Sequence, residues 1–212
     1  GAALAAIYAV ESTGLSVTGN TVSDCGNGGI LVHRWTKGED GTMISGNRVT
    51  RIAATAGGTG QNGNGINIFR ADGVMIANNH VSDCAFSAIR ANAGSNVQIA
   101  GNQCLRSGET AIYSEFGFEG AVVTGNLVDG AANGVLIVNF DAGGRLATVA
   151  NNIIRNLSPT GPYATAYVTL NEGPTLFTNI VDCDLASLKI GQRVKVVFKP
   201  TDGAPLPFFT PA

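Results

Sequence analysis

Val97-Gln98-Ile99-Ala100-Gly101-Asn102-Gln103-Cys104 decides the fold, because the chain writes the same phrase six times. Asn20, Asn47, Asn79, Asn102, Asn126 and Asn152 each follow Gly or Asn. Three residues before each stands a β-branched residue: Val17, Ile44, Ile76, Ile99, Val123 and Val149. Two residues after it comes Val22, Val49, Val81, Cys104, Val128 or Ile154. The intervals between the asparagines are 27, 32, 23, 24 and 26. A period in the twenties, carried by short β-branched runs without helical spacing, indicates a solenoid of strands.

The physics of the phrase supports this. A β-branched residue, one outward residue and then Gly-Asn make a short strand that turns sharply, since Gly and Asn tolerate left-handed backbone angles. Coils stacked about 4.8 Å apart place the six asparagines above one another, where their amides can bond from coil to coil as a ladder. A second strand follows at Ile30, Ile66, Ile89, Ile112 and Val135, at offsets of 10, 19, 10, 10 and 9 from the Asn. Only the second coil therefore carries an insertion there, Ala53 to Gly65. The expected fold class is all-β: a right-handed parallel β-helix of about six coils over residues 1–158, followed by a small β-unit over 159–212.

Composition fits a tightly wound stack. Glycine is 29 of 212 residues and charged residues are 13%. A net charge of −2 provides no electrostatic footprint for nucleic acid or an anionic membrane. No apolar run approaches the roughly 18 residues of a membrane span. Four cysteines lack CxxC spacing and read as buried free thiols. Gly58-Thr59-Gly60-Gln61-Asn62-Gly63 matches the dinucleotide fingerprint in letters but lacks the following helix, and Asn62 stands where a calcium repeat needs a carboxylate. His33 and His80 fall in different coils. No cofactor is identifiable and no metal site is expected.

Along the chain, Gly1 to Val10 reads as the strand of a coil whose beginning is missing, without the charged start of a secretory signal. Lys37-Gly38-Glu39-Asp40-Gly41 reads as a polar return loop. Ser158-Pro159-Thr160-Gly161-Pro162 breaks the period and marks a boundary. Alternating strands follow at Tyr163 to Leu170, Thr175 to Val181 and Arg193 to Phe198.

Residues 14–157 resemble the twin-arginine-translocated β-helix repeat proteins of bacteria. The likeness is carried by Val-Thr-Gly-Asn-Thr-Val (17–22), Ile-Ser-Gly-Asn-Arg-Val (44–49), Ile-Ala-Asn-Asn-His-Val (76–81) and Val-Thr-Gly-Asn-Leu-Val (123–128). The resemblance implies export, hence a periplasmic or extracellular location. It also implies kinship of fold with pectin-lyase-like carbohydrate-active enzymes. Residues 162–212 resemble a different family, the acyl-CoA-associated OB-fold proteins. Here the carriers are Leu176-Phe177-Thr178-Asn179-Ile180-Val181-Asp182-Cys183-Asp184, Ile190-Gly191-Gln192-Arg193-Val194-Lys195-Val196-Val197-Phe198 and Leu206-Pro207-Phe208-Phe209-Thr210-Pro211. That resemblance implies a thiolase-like or hydratase partner. The family's zinc ribbon is missing, and the similarity starts near Pro162, so the first barrel strand is expected to be missing too.

Four residues after the repeat Asn, the first four coils read Asp24, Arg51, Asp83 and Arg106, a ladder of alternating charge. The second strand carries the candidate site. One residue past its Ile or Val stand Leu31, Asn67, Arg90, Tyr113 and Leu136; two further stand His33, Phe69, Asn92, Glu115 and Val138. Strand alternation places them on one outward face, with Arg34, Trp35, Arg70 and Phe116 at its margin. Rings that stack on sugars, beside polar groups that bind hydroxyls, suit a polysaccharide. His33, Trp35, Asn67, Arg70, Asn92 and Tyr113 are the expected binding residues. Glu115 beside Arg90 is the expected catalytic pair of a carbohydrate lyase, epimerase or hydrolase. The alternative is an acyl-CoA-associated OB-fold accessory fragment on a non-catalytic solenoid.

Overall fold

The computed structural model describes residues 1–58, 60–139, 144–157, 164–184, 187–199 and 206–212. The expected boundary Ser158 to Pro162 lies outside the described residues. The chain divides into two compact units, Gly1–Thr160 and Gly161–Ala212.

The first unit is a coil of three parallel sheets with six strands each. The first sheet holds β1 (Ala5–Val10), β4 (Gly28–Glu39), β7 (Asn64–Asp72), β10 (Ile89–Asn92), β13 (Thr110–Glu115) and β16 (Asn133–Val138). The second holds β2 (Ser16–Thr18), β5 (Met43–Ser45), β8 (Met75–Ala77), β11 (Val97–Ala100), β14 (Glu119–Thr124) and β17 (Arg145–Ala150). The third holds β3 (Thr21–Cys25), β6 (Arg48–Ile52), β9 (His80–Cys84), β12 (Gln103–Leu105), β15 (Leu127–Ala131) and β18 (Ile153–Leu157). Every strand pairs in register with its counterpart one coil away, so each position becomes a column. Ile7, Ile30, Ile66, Ile89, Ile112 and Val135 form one such column. Its members Ile30 to Ile112 are buried in the central cluster with Ile44, Ile76, Ile99, Val49 and Val81. Burying each such side chain contributes about 1.5–3 kcal/mol.

The corners explain the repeat phrase. The residue before each ladder asparagine has a left-handed backbone: φ is 67° at Gly19, 64° at Gly46, 56° at Asn78, 66° at Gly101, 64° at Gly125 and 58° at Asn151. The turn throws the next side chain into the stack. Within the column, the backbone N–H and the Nδ2 of one asparagine both donate to Oδ1 of the next, at 2.9–3.0 Å, from Asn20 through Asn152. Nδ2 also reaches back to a strand carbonyl of the preceding coil, as from Asn102 to Ile76 at 3.0 Å. Asn47, Asn79, Asn102 and Asn126 are buried, and each has its amide fully used.

Outside the third sheet, Arg51 pairs with Asp24 and Arg106 with Asp83, both at 2.6 Å. The alternation continues one position earlier in the coil, with Arg155 and Asp129 at 3.0 Å. Arg106 holds the Asp83 carboxyl down at about 2. These groups are largely solvated, and such pairs contribute little each.

One local expectation changes. Lys37, Gly38 and Glu39 are not a return loop; they continue β4, which resumes pairing at Gly38↔Ala71 and Glu39↔Asp72 after a register shift that begins past His33. The residues between are the extra length of a bulge, which bends the strand and frees Trp35 from the sheet. At the other end, Val149, Ile154 and Leu157 are 40–48% exposed, whereas Val123, Val128 and Ala131, their column mates one coil earlier, are buried.

The second unit is a four-stranded mixed sheet of β19 (Ala164–Thr169), β20 (Thr175–Ile180), β21 (Val194–Lys199) and β22 (Leu206–Pro211), ordered β19-β20-β22-β21. A tight turn closes the β19–β20 hairpin, with Gly173 at φ 107°. Its core is small: Val168, Ile180 and Phe209, with Leu170, Leu188 and Val194 packed against them.

The ladder makes a direct prediction. Asn102→Ala removes the acceptor of two Asn79 donors and both the donors that serve Ile76 O and Asn126 Oδ1. At about 1–3 kcal/mol per buried group left unpaired, the loss should reach about 3–5 kcal/mol. Asn20→Ala, at the half-buried end of the column, should cost about 1 kcal/mol. Urea unfolding of both variants measures the difference.

Candidate functional site

Alternation along the first sheet turns two rows outward. One is Tyr8, Leu31, Asn67, Arg90, Tyr113 and Leu136; the other is Val10, His33, Phe69, Asn92, Glu115 and Val138. The rows differ along their length. Tyr8, His33 and Phe69 form an edge-to-face stack, with centroids 5.1 Å and 5.7 Å apart. The Arg70 guanidinium lies 4.8 Å from the Phe69 centroid and donates to the Trp35 carbonyl at 2.6 Å. The Trp35 ring is largely exposed beyond this stack.

Farther along, the face becomes polar and closed. Arg90 Nε donates to Glu115 Oε1 at 2.5 Å, and Arg90 Nη2 contacts the same oxygen. Asn92 Nδ2 donates to it at 2.9 Å. The Tyr113 ring lies 5.6 Å from the Arg90 guanidinium carbon. Burial, and then the Glu115 charge, push the Tyr113 hydroxyl above its ordinary pKa.

The outward face is nevertheless buried at its centre. Asn67, Arg90 and Glu115 are 5%, 9% and 2% exposed. The physical reason is the insertion of the second coil. Its Gly60 carbonyl accepts from Arg90 Nη1 and from buried Asn64 Nδ2, the latter at 2.8 Å. Backbone bonds from Thr55 to Gly26 and from Gly63 to Asn27 tie its ends to the neighbouring coil. On the opposite margin, Lys37 Nζ reaches the Gly117 carbonyl at 2.5 Å. The two sequence-distant segments flank the outward rows.

Chemically, Glu115 is not a free base, because Arg90 and Asn92 occupy its Oε1. The acid with room to act is Glu109, in the turn before β13. It is half-buried, and burial raises its pKa against the opposing pull of Arg90. Sequence reasoning missed Glu109 because it precedes the strand and belongs to no alternating row. His33 is also shifted: burial lowers its pKa to about 4. Its Nε2 is buried without a hydrogen-bond partner, as is Asn67 Oδ1. All four cysteines are free, and burial pushes the Cys84 thiol up to about 12, so it stays protonated and inert. Among the described residues no cluster of His, Cys, Asp or Glu could hold a metal ion. His80 lies on the third sheet beside Gln103, away from His33.

Residues 2–156 match the family model described as right handed beta helix region. The chain belongs to the right-handed β-helix family. Residues 144–199, overlapping the end of that match, match the model of the ChsH2 C-terminal OB-fold domain. This second match begins one residue before β17, so the OB-fold similarity reaches back through the last coil instead of starting near Pro162. A DUF35 domain-containing scaffold protein of Methanothermobacter thermautotrophicus is 36% identical over 64 residues, 29% of this chain and 48% of that protein. The chain thus spans about half the length of this curated relative. No solved structure matches the chain.

The His33 environment predicts a pH dependence. The folded-state pKa of about 4 lies below the ordinary 6.5, so the unfolded chain binds the extra proton between these values. Stability contributed by neutral His33 is complete above pH 6.5 and is lost as pH falls toward 4, by at most about 3 kcal/mol. His33→Phe should flatten this part of the stability curve, measured by urea unfolding of both proteins from pH 7 to 4.

Proposed function

We propose that this β-helix binds a polysaccharide along the outward face of its first sheet. The observation that carries the reading is the make-up of that face: an edge-to-face stack of Tyr8, His33 and Phe69 continues in register into half-buried Asn92 and Tyr113, beside buried Asn67, Arg90 and Glu115. Aromatic faces pack against the apolar faces of sugar rings, and fixed amides and charges orient hydroxyls. A polymer along the coil axis meets a new set of side chains about every 4.8 Å. Likeness of the repeat phrase to the twin-arginine-translocated proteins supports an exported setting for such binding.

Modification of the bound chain, as by a lyase, epimerase or hydrolase, is the finer reading. It is supported by Glu109, a carboxyl of raised pKa that interacts with both Arg90 and Glu115. A second reading belongs to the C-terminal unit alone. Its OB-fold match, and the scaffold name of the Methanothermobacter relative, support a role in holding a thiolase-like or hydratase partner.

Isothermal titration of the whole chain against a polysaccharide panel tests the glycan reading. One or more polymers should bind, and Phe69→Ala and Tyr113→Ala should each weaken that binding about tenfold. Equal affinity for both variants places the site elsewhere and ends this reading; co-elution with a thiolase-like enzyme would then support the second.

A further inference from the structure

The chemistry of this face narrows the ligand beyond "polysaccharide". We infer that the face takes an uncharged polysaccharide, and that Asn67 and His33 together receive one of its hydroxyl groups. The inference rests on the glycan reading above and concerns which class of glycan the face accepts.

Two independent observations carry it. The first is electrostatic. The cations along this face stand beside carboxylates or carbonyls, Arg34 by ion-pair approach alone, since its buried Nε and Nη1 have no hydrogen-bond partner. Arg90 is paired with Glu115, and Glu109 adds a second carboxyl to the same neighbourhood. Arg34 stands 3.5 Å from Glu11 and 3.8 Å from Asp40. Lys37 is bound to the Gly117 carbonyl, and Arg70 lies over Phe69 and donates to the Trp35 carbonyl. An acidic glycan would have to displace these partners and would meet Glu109 and Glu115. An uncharged one needs only hydrogen-bonding groups and rings.

The second observation is a pair of unsatisfied atoms. Buried polar groups without partners are rare in folded proteins and carry a cost. Asn67 Oδ1 and His33 Nε2 are two such atoms, on neighbouring strands of the same outward face. Oδ1 only accepts. The neutral imidazole nitrogen donates or accepts according to its tautomer. A sugar hydroxyl both donates and accepts, so a single hydroxyl can satisfy both atoms. With the proton on His33 Nε2, an ammonium group could not accept from it, and a carboxylate could not donate to Asn67. The flanking Tyr8 and Phe69 rings supply the apolar contact a sugar ring needs.

The row itself supplies a control. Leu31 and Leu136 occupy the Asn67 position in other coils, so Asn67→Leu fits the site and removes an unpaired buried acceptor. The variant should therefore melt at a higher temperature than the wild type while binding its glycan at least about tenfold more weakly. A purely structural asparagine would lose stability instead.

The experiment is calorimetric titration of the whole protein with glucan, mannan and galactan, and in parallel with polygalacturonate and alginate, at about 0.1 M salt. Binding to a neutral polymer, weakened by Asn67→Leu and by His33→Phe, is the expected result. Tighter binding to polygalacturonate or alginate overturns the inference and leaves the glycan reading standing. Neutral binding indifferent to both substitutions does the same. If no polymer binds, the glycan reading itself falls and the inference with it.

Discussion

The asparagine column is the constraint on which the rest of the molecule depends. Between the ends of the column, each asparagine donates to the coil after it through its backbone N–H and Nδ2, and to the coil before it through Nδ2, so every coil must return its Asn to the same corner. The return distance between asparagines varies only where the chain can leave the stack without disturbing that corner. The long interval of 32 residues between Asn47 and Asn79 is the one such departure of size. Its surplus lies outside the first sheet, and its Gly60 carbonyl accepts from Arg90. The position of the candidate site is thus a consequence of the ladder.

Energetically, the two faces of the first sheet follow different rules. The inward face is columns of Ile and Val, stabilised by area removed from water, and identical residues recur because each coil repeats its neighbour's environment. The outward face is varied, and in its middle it buries Asn67, Arg90 and Glu115. Burying polar groups on a surface that could have stayed solvated contributes nothing obvious to the stack. The Arg90–Glu115 pair is compensated by mutual contact, yet Asn67 Oδ1 and His33 Nε2 are not. Departures of this kind from local consistency mark sites that serve a ligand.

Legibility in the sequence followed periodicity. The Gly-Asn corners, the Ile column and the two outward rows all recur once per coil, and strand alternation alone assigns their faces. What the sequence concealed is aperiodic. The Gly60 carbonyl meets Arg90 and Asn64 through tertiary contacts that no spacing announces. The bulge after His33 moved Lys37 to Glu39 from an expected loop into β4, because polar composition marks solvent contact as readily as a turn. Glu109 lies in a turn, where alternation has no meaning. The OB-fold similarity begins inside the last coil, and repeat counting had already claimed those residues for the β-helix.

The claim that side-chain amides hold the coils in register is tested most directly by native-state hydrogen exchange. The backbone N–H groups of Asn47, Asn79 and Asn102 donate to a side-chain oxygen, not to a strand carbonyl. If the ladder holds the stack, these amides should exchange only through global unfolding, as slowly as Ile89 and Ile112 at the centre of the Ile column. Exchange at the rate of an exposed turn, while Ile89 and Ile112 remain protected, would contradict the account.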